Sequence, residues 1–257
     1  MNQIILKEGT ASHIEIITYP DGQRNIKLDM NYFNPKEMTV IHCRIKSFAE
    51  LELLFCIVAA LRKNDCEIMQ INFIYLFGLR SDRAFELGMP NYTRDVLSPI
   101  IKLLDCPFSL FIPHNRKYIK DNSVSDIRCD VKTYGLIIGG DSSSGCSLHF
   151  YKQRDSKGRI SVSLSKNDKA HIKQLTGVKL LSIVDDLCDG GTTFIEEGKI
   201  LKELYPDKSL ELAVYHGIFS KGFDELLKYY DRIVTTNSYQ DFDETTLPKQ
   251  IEVVKVI

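Results

Sequence analysis

Short apolar runs of strand length alternate with stretches of helical periodicity along most of the chain. Residues 38–43 are a nearly unbroken apolar run, the pattern of a buried strand. Ser47 follows, with Glu50 three positions on, a spacing that opens a helix running to about Lys63. Leu51, Leu54, Phe55, Val58 and Leu61 recur at helical spacing and so face a core. Residues 67–76 are a second apolar strand, and strand–helix–strand in this order predicts a right-handed parallel crossover. A helix over 92–104, following Pro90, and a strand over 109–114 continue the alternation. Ahead of these, residues 4–30 fall into short β-like pieces, and Asp21-Gly22 between two of them predicts a hairpin. The second half repeats the scheme. Strands are expected over 134–141, 146–151, 180–186, 210–216, 232–237 and 251–257, with helices after Gly191 and over 223–230. Between the halves, residues 115–132 are polar and charged, which places a domain boundary near 124. The expected domains are therefore 1–124 and 125–257.

Composition narrows the classes of partner. The chain has 257 residues, 44% hydrophobic and 26% charged, with a net charge of −1. That balance gives no bulk electrostatic reason to bind nucleic acid or a membrane surface. No apolar segment approaches the roughly 20 residues of a membrane span. The first residues lack a signal-peptide pattern. Seven cysteines, an odd number without a Cys-x-x-Cys pair, fit reduced thiols in the cytoplasm better than disulfides or zinc. Neither a Walker A loop nor a Gly-x-Gly-x-x-Gly is present, so ATP use requires another kind of site.

The densest chemistry lies where the apolar run 180–184 meets Asp185 and Asp186. Leu187, Cys188, Asp189, Gly190, Gly191, Thr192 and Thr193 follow, and then a helix with Phe194, Ile195, Gly198, Leu201 and Leu204 as its apolar stripe. Thr193 with Glu196 reads as a capping box. A turn at a helix N-terminus offers unpaired N–H groups and a positive dipole end to a phosphate. Carboxylates just ahead of it accept hydrogen bonds from sugar hydroxyls. A phosphate beside a diol describes a ribose phosphate.

This stretch resembles the phosphoribosyl-pyrophosphate loop of the type I phosphoribosyltransferase superfamily. Asp189 makes it similar in particular to the phosphoribosyl-pyrophosphate synthetases, or ribose-phosphate diphosphokinases. Other segments carry the same resemblance. Tyr19, Asp21 and Gln23 are similar to the family's Phe-x-Asp-Gly-Glu hairpin, which holds the adenine of ATP and reaches into a neighbouring subunit. Arg80-Ser81-Asp82-Arg83 resembles its ATP-binding Arg-Gln-Asp-Arg. His114 stands where the family has a metal-binding Asp-x-His, although Ile112 replaces the aspartate. Asp141 resembles the acidic residue of a Pro-Asp-x-Gly-Gly element. Lys152 and Arg154 match the Lys-x-Arg of a mobile catalytic loop. The run from His216 to Ser220 closely resembles His-Gly-x-Phe-Ser.

The resemblance implies an α/β fold of two tandem phosphoribosyltransferase-like domains, each with a mainly parallel sheet flanked by helices, and an active site between them. It implies ATP bound through Tyr19, Asp21, Gln23, Arg80, Asp82 and Arg83. A ribose phosphate would lie on Asp185, Asp186, Asp189, Gly190, Gly191, Thr192 and Thr193. Lys152, Arg154 and His114 would be catalytic, with Mg2+ near His114 and Asp141, in a cytoplasmic homo-oligomer. The implied reaction moves a diphosphoryl group from MgATP to the anomeric hydroxyl and releases AMP. Gly190 departs from the family's usual threonine, which opens room for an acceptor larger than ribose 5-phosphate, such as ADP-ribose. Two other classes stay open: a phosphoribosyltransferase that uses phosphoribosyl pyrophosphate, and a non-catalytic regulatory homologue.

Overall fold

The computed structural model describes residues 1–82, 84, 86–114, 125–127, 131, 133, 136–139, 150–154, 160–164 and 177–257. The chain divides into two compact units, Met1–Arg128 and Cys129–Val256.

In the first unit the strands are β1 (Asn2–Lys7), β2 (Thr10–Ala11), β3 (Ile14–Thr18), β4 (Arg24–Leu28), β5 (Thr39–Ile45), β6 (Ile68–Leu76), β7 (Phe108–Phe111) and β8 (Ser125–Ile127). The main sheet has the order β2-β1-β5-β6-β7-β8. All neighbours in it are parallel except β2, which runs against β1. Because β8 is its edge strand, the unit runs past residue 124. The hairpin β3–β4 forms a separate two-stranded sheet.

Helix α1 (Phe48–Lys63) links β5 to β6. Ser47 caps it, its hydroxyl oxygen accepting from the Ala49 N–H at 3.2 Å. The same hydroxyl donates to the Glu50 carboxylate. Leu51, Leu54, Ile57, Val58 and Leu61 are buried against Ile41, Cys43, Ile71 and Phe73 of the sheet. A fully buried side chain of this kind contributes about 1.5–3 kcal/mol, so this face holds the unit together.

The helix expected over 92–104 is irregular. A π-helical turn, Thr93–Leu97, runs into α2 (Ser98–Lys102). Pro99 accounts for the widening. It has no N–H, and its ring crowds the carbonyl four residues back. The strand expected over 109–114 stops at Phe111. Ile112 then takes a left-handed φ of 39°, which a strand cannot accommodate, and His114 is exposed beyond the strand end.

In the second unit the strands are β9 (Leu136–Gly139), β10 (Phe150–Arg154), β11 (Ile160–Leu164), β12 (Leu180–Cys188), β13 (Ser209–Gly217), β14 (Arg232–Thr236) and β15 (Ile251–Val254). The sheet β15-β14-β13-β12-β9 is parallel throughout. Helix α3 (Thr192–Leu204) follows β12, and the short α4 (Asp224–Leu227) precedes β14. Phe194 and Leu201 of α3 share a core with Leu181, Ile183, Leu210, Leu212, Val214 and Ile233. Within this sheet the buried Glu211 carboxylate is satisfied from two sides. The Ser182 hydroxyl donates to it at 2.8 Å, and Arg232 pairs with it. Unpaired, it would cost several kcal/mol.

Of the strand expected over 146–151, residues 146–149 lie outside the described residues; Phe150 and Tyr151 belong to β10, which pairs antiparallel with β11. Lys152 and Arg154 thus sit on a hairpin arm rather than in a loop, opposite Val162 and Ile160. Each unit is α/β with a mainly parallel sheet. Among the described residues no helix is long and apolar enough to cross a membrane.

The packing of α3 yields a sign-reversed prediction. Glycine in a helix ordinarily costs about 1 kcal/mol relative to alanine. At Gly198, however, an added Cβ would lie 2.7 Å from Tyr229 Cβ and 3.3 Å from Tyr230 Cε2. Gly198→Ala should therefore destabilise the protein, by about 1–3 kcal/mol. A urea unfolding curve with a raised midpoint would contradict this packing.

Candidate active site

Ligands of parallel α/β sheets bind outside the carboxyl ends of the strands. In the second unit that edge is shaped by β12 and β13. Their pairing runs to Cys188 opposite Gly217. Beyond it, Ile218 and Phe219 both donate N–H to the Cys188 carbonyl, at 2.9 and 3.2 Å. Asp185 and Asp186 therefore lie inside β12, which runs two residues beyond the expected 180–186. The apolar run stops before the backbone pairing does. Both carboxylates are half-buried, and Asp185 Oδ1 accepts from the Asp186 N–H at 2.9 Å.

After β12 the chain turns through Asp189, Gly190 and Gly191 into α3. Gly191 is the N-cap and takes a left-handed φ of 72°. A Cβ there would lie 3.2 Å from Leu226 Cδ2. Both facts explain the glycine. The capping box expected from Thr193 and Glu196 does not form. Thr193 is already the second residue of α3, and Glu196 instead accepts from Lys199 at 2.6 Å. Gly191, as the N-cap, has no side chain with which to cap the helix. The first N–H groups of an α-helix have no intrahelical partner, and the dipole there is positive. This end of α3 is thus suited to an oxyanion supplied from outside. Thr192 and Asp189 are exposed, while Gly190 and Thr193 are half-buried. Beneath the first turn, the buried Tyr230 hydroxyl donates to the Phe194 carbonyl at 2.7 Å. Burial pushes its pKa well above the usual phenol value, so it stays a donor.

The segment after β13 forms the other wall. His216 is buried, and its Nδ1 lies 2.8 Å from Ser238 Oγ. The Ser238 hydroxyl donates its one proton to the Tyr215 carbonyl at 3.1 Å. Thr236 Oγ1 donates to the same carbonyl at 2.7 Å, so His216, Ser238, Tyr215 and Thr236 form one hydrogen-bonded group. Gly217 admits no side chain, since a Cβ would lie 2.4 Å from Phe219 Cε2 and from Thr235 Oγ1. Phe219 (φ 47°) turns the chain, and Lys221 follows with its side chain along the loop. From the place of a Cβ on Gly190, Lys221 Cε, Cδ and Cγ are 3.4, 3.5 and 3.9 Å away. Sequence patterns gave no hint of Lys221. The contact joins residues distant in the chain, and no motif extends past Ser220.

In the first unit, Tyr19, Asp21 and Gln23 sit together at the tip of the β3–β4 hairpin. Tyr19 donates N–H to the Gln23 carbonyl and accepts from Gly22, both at 2.9 Å. Asp21 Oδ1 takes the Gln23 N–H at 3.1 Å, so its carboxylate shapes its own turn. The Gln23 side chain donates to the Arg24 carbonyl at 2.8 Å. Glu52 of α1 anchors the hairpin base, accepting from the Arg24 N–H at 3.3 Å and from Nε at 3.0 Å.

Arg80, Ser81 and Asp82 follow β6, with Arg80 exposed. The Gly78 carbonyl accepts from Ser81 N–H at 3.1 Å and from Thr93 Oγ1 at 2.6 Å. Asn91 donates to the Asp82 carbonyl. Arg83, Asp141 and the side chains of Lys152 and Arg154 lie outside the described residues. Among the described residues no three His, Cys, Asp or Glu side chains converge as a metal site.

The described geometry defines a two-unit α/β protein with a glycine-led helix N-terminus at the end of a parallel strand. The same fold occurs in the crystal structure of phosphoribosylpyrophosphate synthetase from Mycobacterium smegmatis. The two superpose with a TM-score of 0.71 over 95% of this chain and 86% of that one, at 14% sequence identity. The chain is also similar to ribose-phosphate pyrophosphokinase of Mycoplasmopsis pulmonis (strain UAB CTIP). It is 34% identical to it over 76 residues, which are 29% of this chain and 23% of that protein. No protein-family model matches the chain.

The two glycines of the cradle should respond differently to a methyl group. Gly191→Ala should lower stability by about 1–2 kcal/mol, the cost of a left-handed backbone for an L-residue. Gly190→Ala should stay within about 0.5 kcal/mol of the wild type, since its Cβ would meet only ordinary contacts with Lys221. Thermal melts of the two variants measure this, and equal losses would show that the turn is built differently.

Proposed function

We propose that the protein is a diphosphokinase acting on a ribose phosphate. The anomeric hydroxyl oxygen attacks the β-phosphorus of MgATP. The bond from that phosphorus to the oxygen bridging to the α-phosphate breaks, AMP leaves with the bridging oxygen, and the hydroxyl proton is lost. Such chemistry requires no covalent protein intermediate; it depends on positioning and on cations where charge develops.

The observation that carries this reading is the glycine-led start of α3. Asp185 and Asp186 stand one short turn before it, and the N-cap, Gly191, has no side chain to cap the helix. The sugar phosphate is assigned to Asp189, Gly190, Gly191, Thr192 and Thr193, and the sugar hydroxyls to Asp185 and Asp186. ATP is assigned to Tyr19, Asp21, Gln23, Arg80, Asp82 and Arg83. Lys152 and Arg154 are assigned to the transferring group. Magnesium enters with ATP as part of the substrate and is assigned to His114 and Asp141. The fold shared with a phosphoribosylpyrophosphate synthetase and the partial match to a ribose-phosphate pyrophosphokinase support the assignment. Because Gly190 lacks the side-chain hydroxyl that the family's threonine offers a terminal 5-phosphate, ADP-ribose is proposed as an acceptor beside ribose 5-phosphate.

Chromatographic or NMR detection of AMP from MgATP, with ribose 5-phosphate and ADP-ribose as separate acceptors, measures the activity. AMP should form with at least one. Lys152→Ala should lower kcat by about 10²-fold or more while leaving the melting temperature in place. Binding of a sugar phosphate without AMP from either acceptor would favour a phosphoribosyltransferase or a non-catalytic homologue.

A further inference from the structure

The cradle has an electrostatic problem. Asp185, Asp186 and Asp189 put three carboxylates within five positions, immediately before the proposed phosphate site. A phosphate ester carries roughly −1.5 to −2 at neutral pH. The helix N-terminus supplies only about half a positive charge. A dianion beside three carboxylates therefore needs a further cation close to the turn.

Lys221 is placed to supply it. Its aliphatic stem lies over Gly190, at 3.4 to 3.9 Å from the place a Cβ would take. The residue itself is exposed, and its stem runs along the turn as far as Cε, the carbon that carries the ammonium. This also explains Gly190. Unlike Gly191, it has no positive φ that would demand glycine. What a side chain there would meet is the Lys221 stem. A longer or branched residue would push the lysine off the loop. Two positions far apart in the sequence thus act as one device, the bare backbone at Gly190 being the groove in which Lys221 lies. The lysine is anchored at the turn through Phe219, whose carbonyl accepts from the Gly222 N–H at 2.8 Å, and Phe219 packs on Phe223 with ring centroids 4.6 Å apart.

We propose that Lys221 is a binding residue of the ribose-phosphate site, its ammonium pairing with the phosphate carried on the 5-carbon of the sugar. The proposal rests on the functional reading above. A bare stem packed over a glycine would serve structure alone, so the test removes the charge and keeps the stem.

The experiment is calorimetric titration of the full chain with ribose 5-phosphate, with unphosphorylated ribose, and with inorganic phosphate. Wild type, Lys221→Met and Lys221→Arg are compared. Lys221→Met should weaken ribose 5-phosphate and inorganic phosphate by about tenfold or more, the worth of one charge-assisted hydrogen bond. Its affinity for ribose and its melting temperature should not move. Lys221→Arg should restore affinity to within about threefold of wild type. If Lys221→Met binds ribose 5-phosphate as tightly as wild type, the Lys221 assignment is overturned and the functional reading stands. If the wild type itself binds neither ribose 5-phosphate nor inorganic phosphate, the functional reading fails and the assignment falls with it.

Discussion

The site depends on one backbone geometry: the left-handed Gly191 that turns the chain from β12 directly into α3. A residue with a side-chain oxygen at that position would cap its own helix and occupy the N–H groups of the first turn. Glycine allows the conformation and adds no side-chain cap of its own. The turn is held from three sides. Leu226 packs against Gly191, the Tyr230 hydroxyl ties down the Phe194 carbonyl, and the Cys188 carbonyl holds the segment after β13 alongside. The cradle is thus fixed by elements that are far apart in sequence and adjacent in the sheet.

The parallel sheet sets where this turn lies. β12 sits between β13 and β9, and its carboxyl end leads into the turn at Gly191. Asp185 and Asp186 belong to that strand, so their backbone is fixed by sheet pairing while their side chains remain only half-buried. Carboxylates on a strand are more rigid than carboxylates on a loop, which suits the orientation of a diol. The buried Glu211, held by Ser182 and Arg232, shows the opposite use of a carboxylate in the same sheet. It is enclosed, paired and structural.

Much of this was legible in the chain. The buried strands announced themselves as apolar runs, and the Ser47 cap and the Asp21-Gly22 hairpin followed local rules. Local rules failed where tertiary contacts prevailed. Thr193 has the spacing of a capping residue, yet Gly191 begins the helix because only glycine satisfies the turn. The strand β12 outruns its apolar run because pairing with β13 continues through the carboxylates. The strand expected to reach His114 ends at Phe111 because Ile112 turns the backbone out of the sheet. Lys152 and Arg154, expected in a loop, are on the strand β10 because β11 pairs with it. Lys221 could not be found from the sequence, since its relation to Gly190 exists only in three dimensions.

The most direct test of the account is whether the start of α3 holds a sugar phosphate. Backbone amide resonances of the isotope-labelled chain, followed during titration with ribose 5-phosphate, read this site by site. The account predicts large, saturable shifts at Gly190, Gly191, Thr192 and Thr193. Saturable binding that leaves these amides unmoved, or no binding at all, would contradict it.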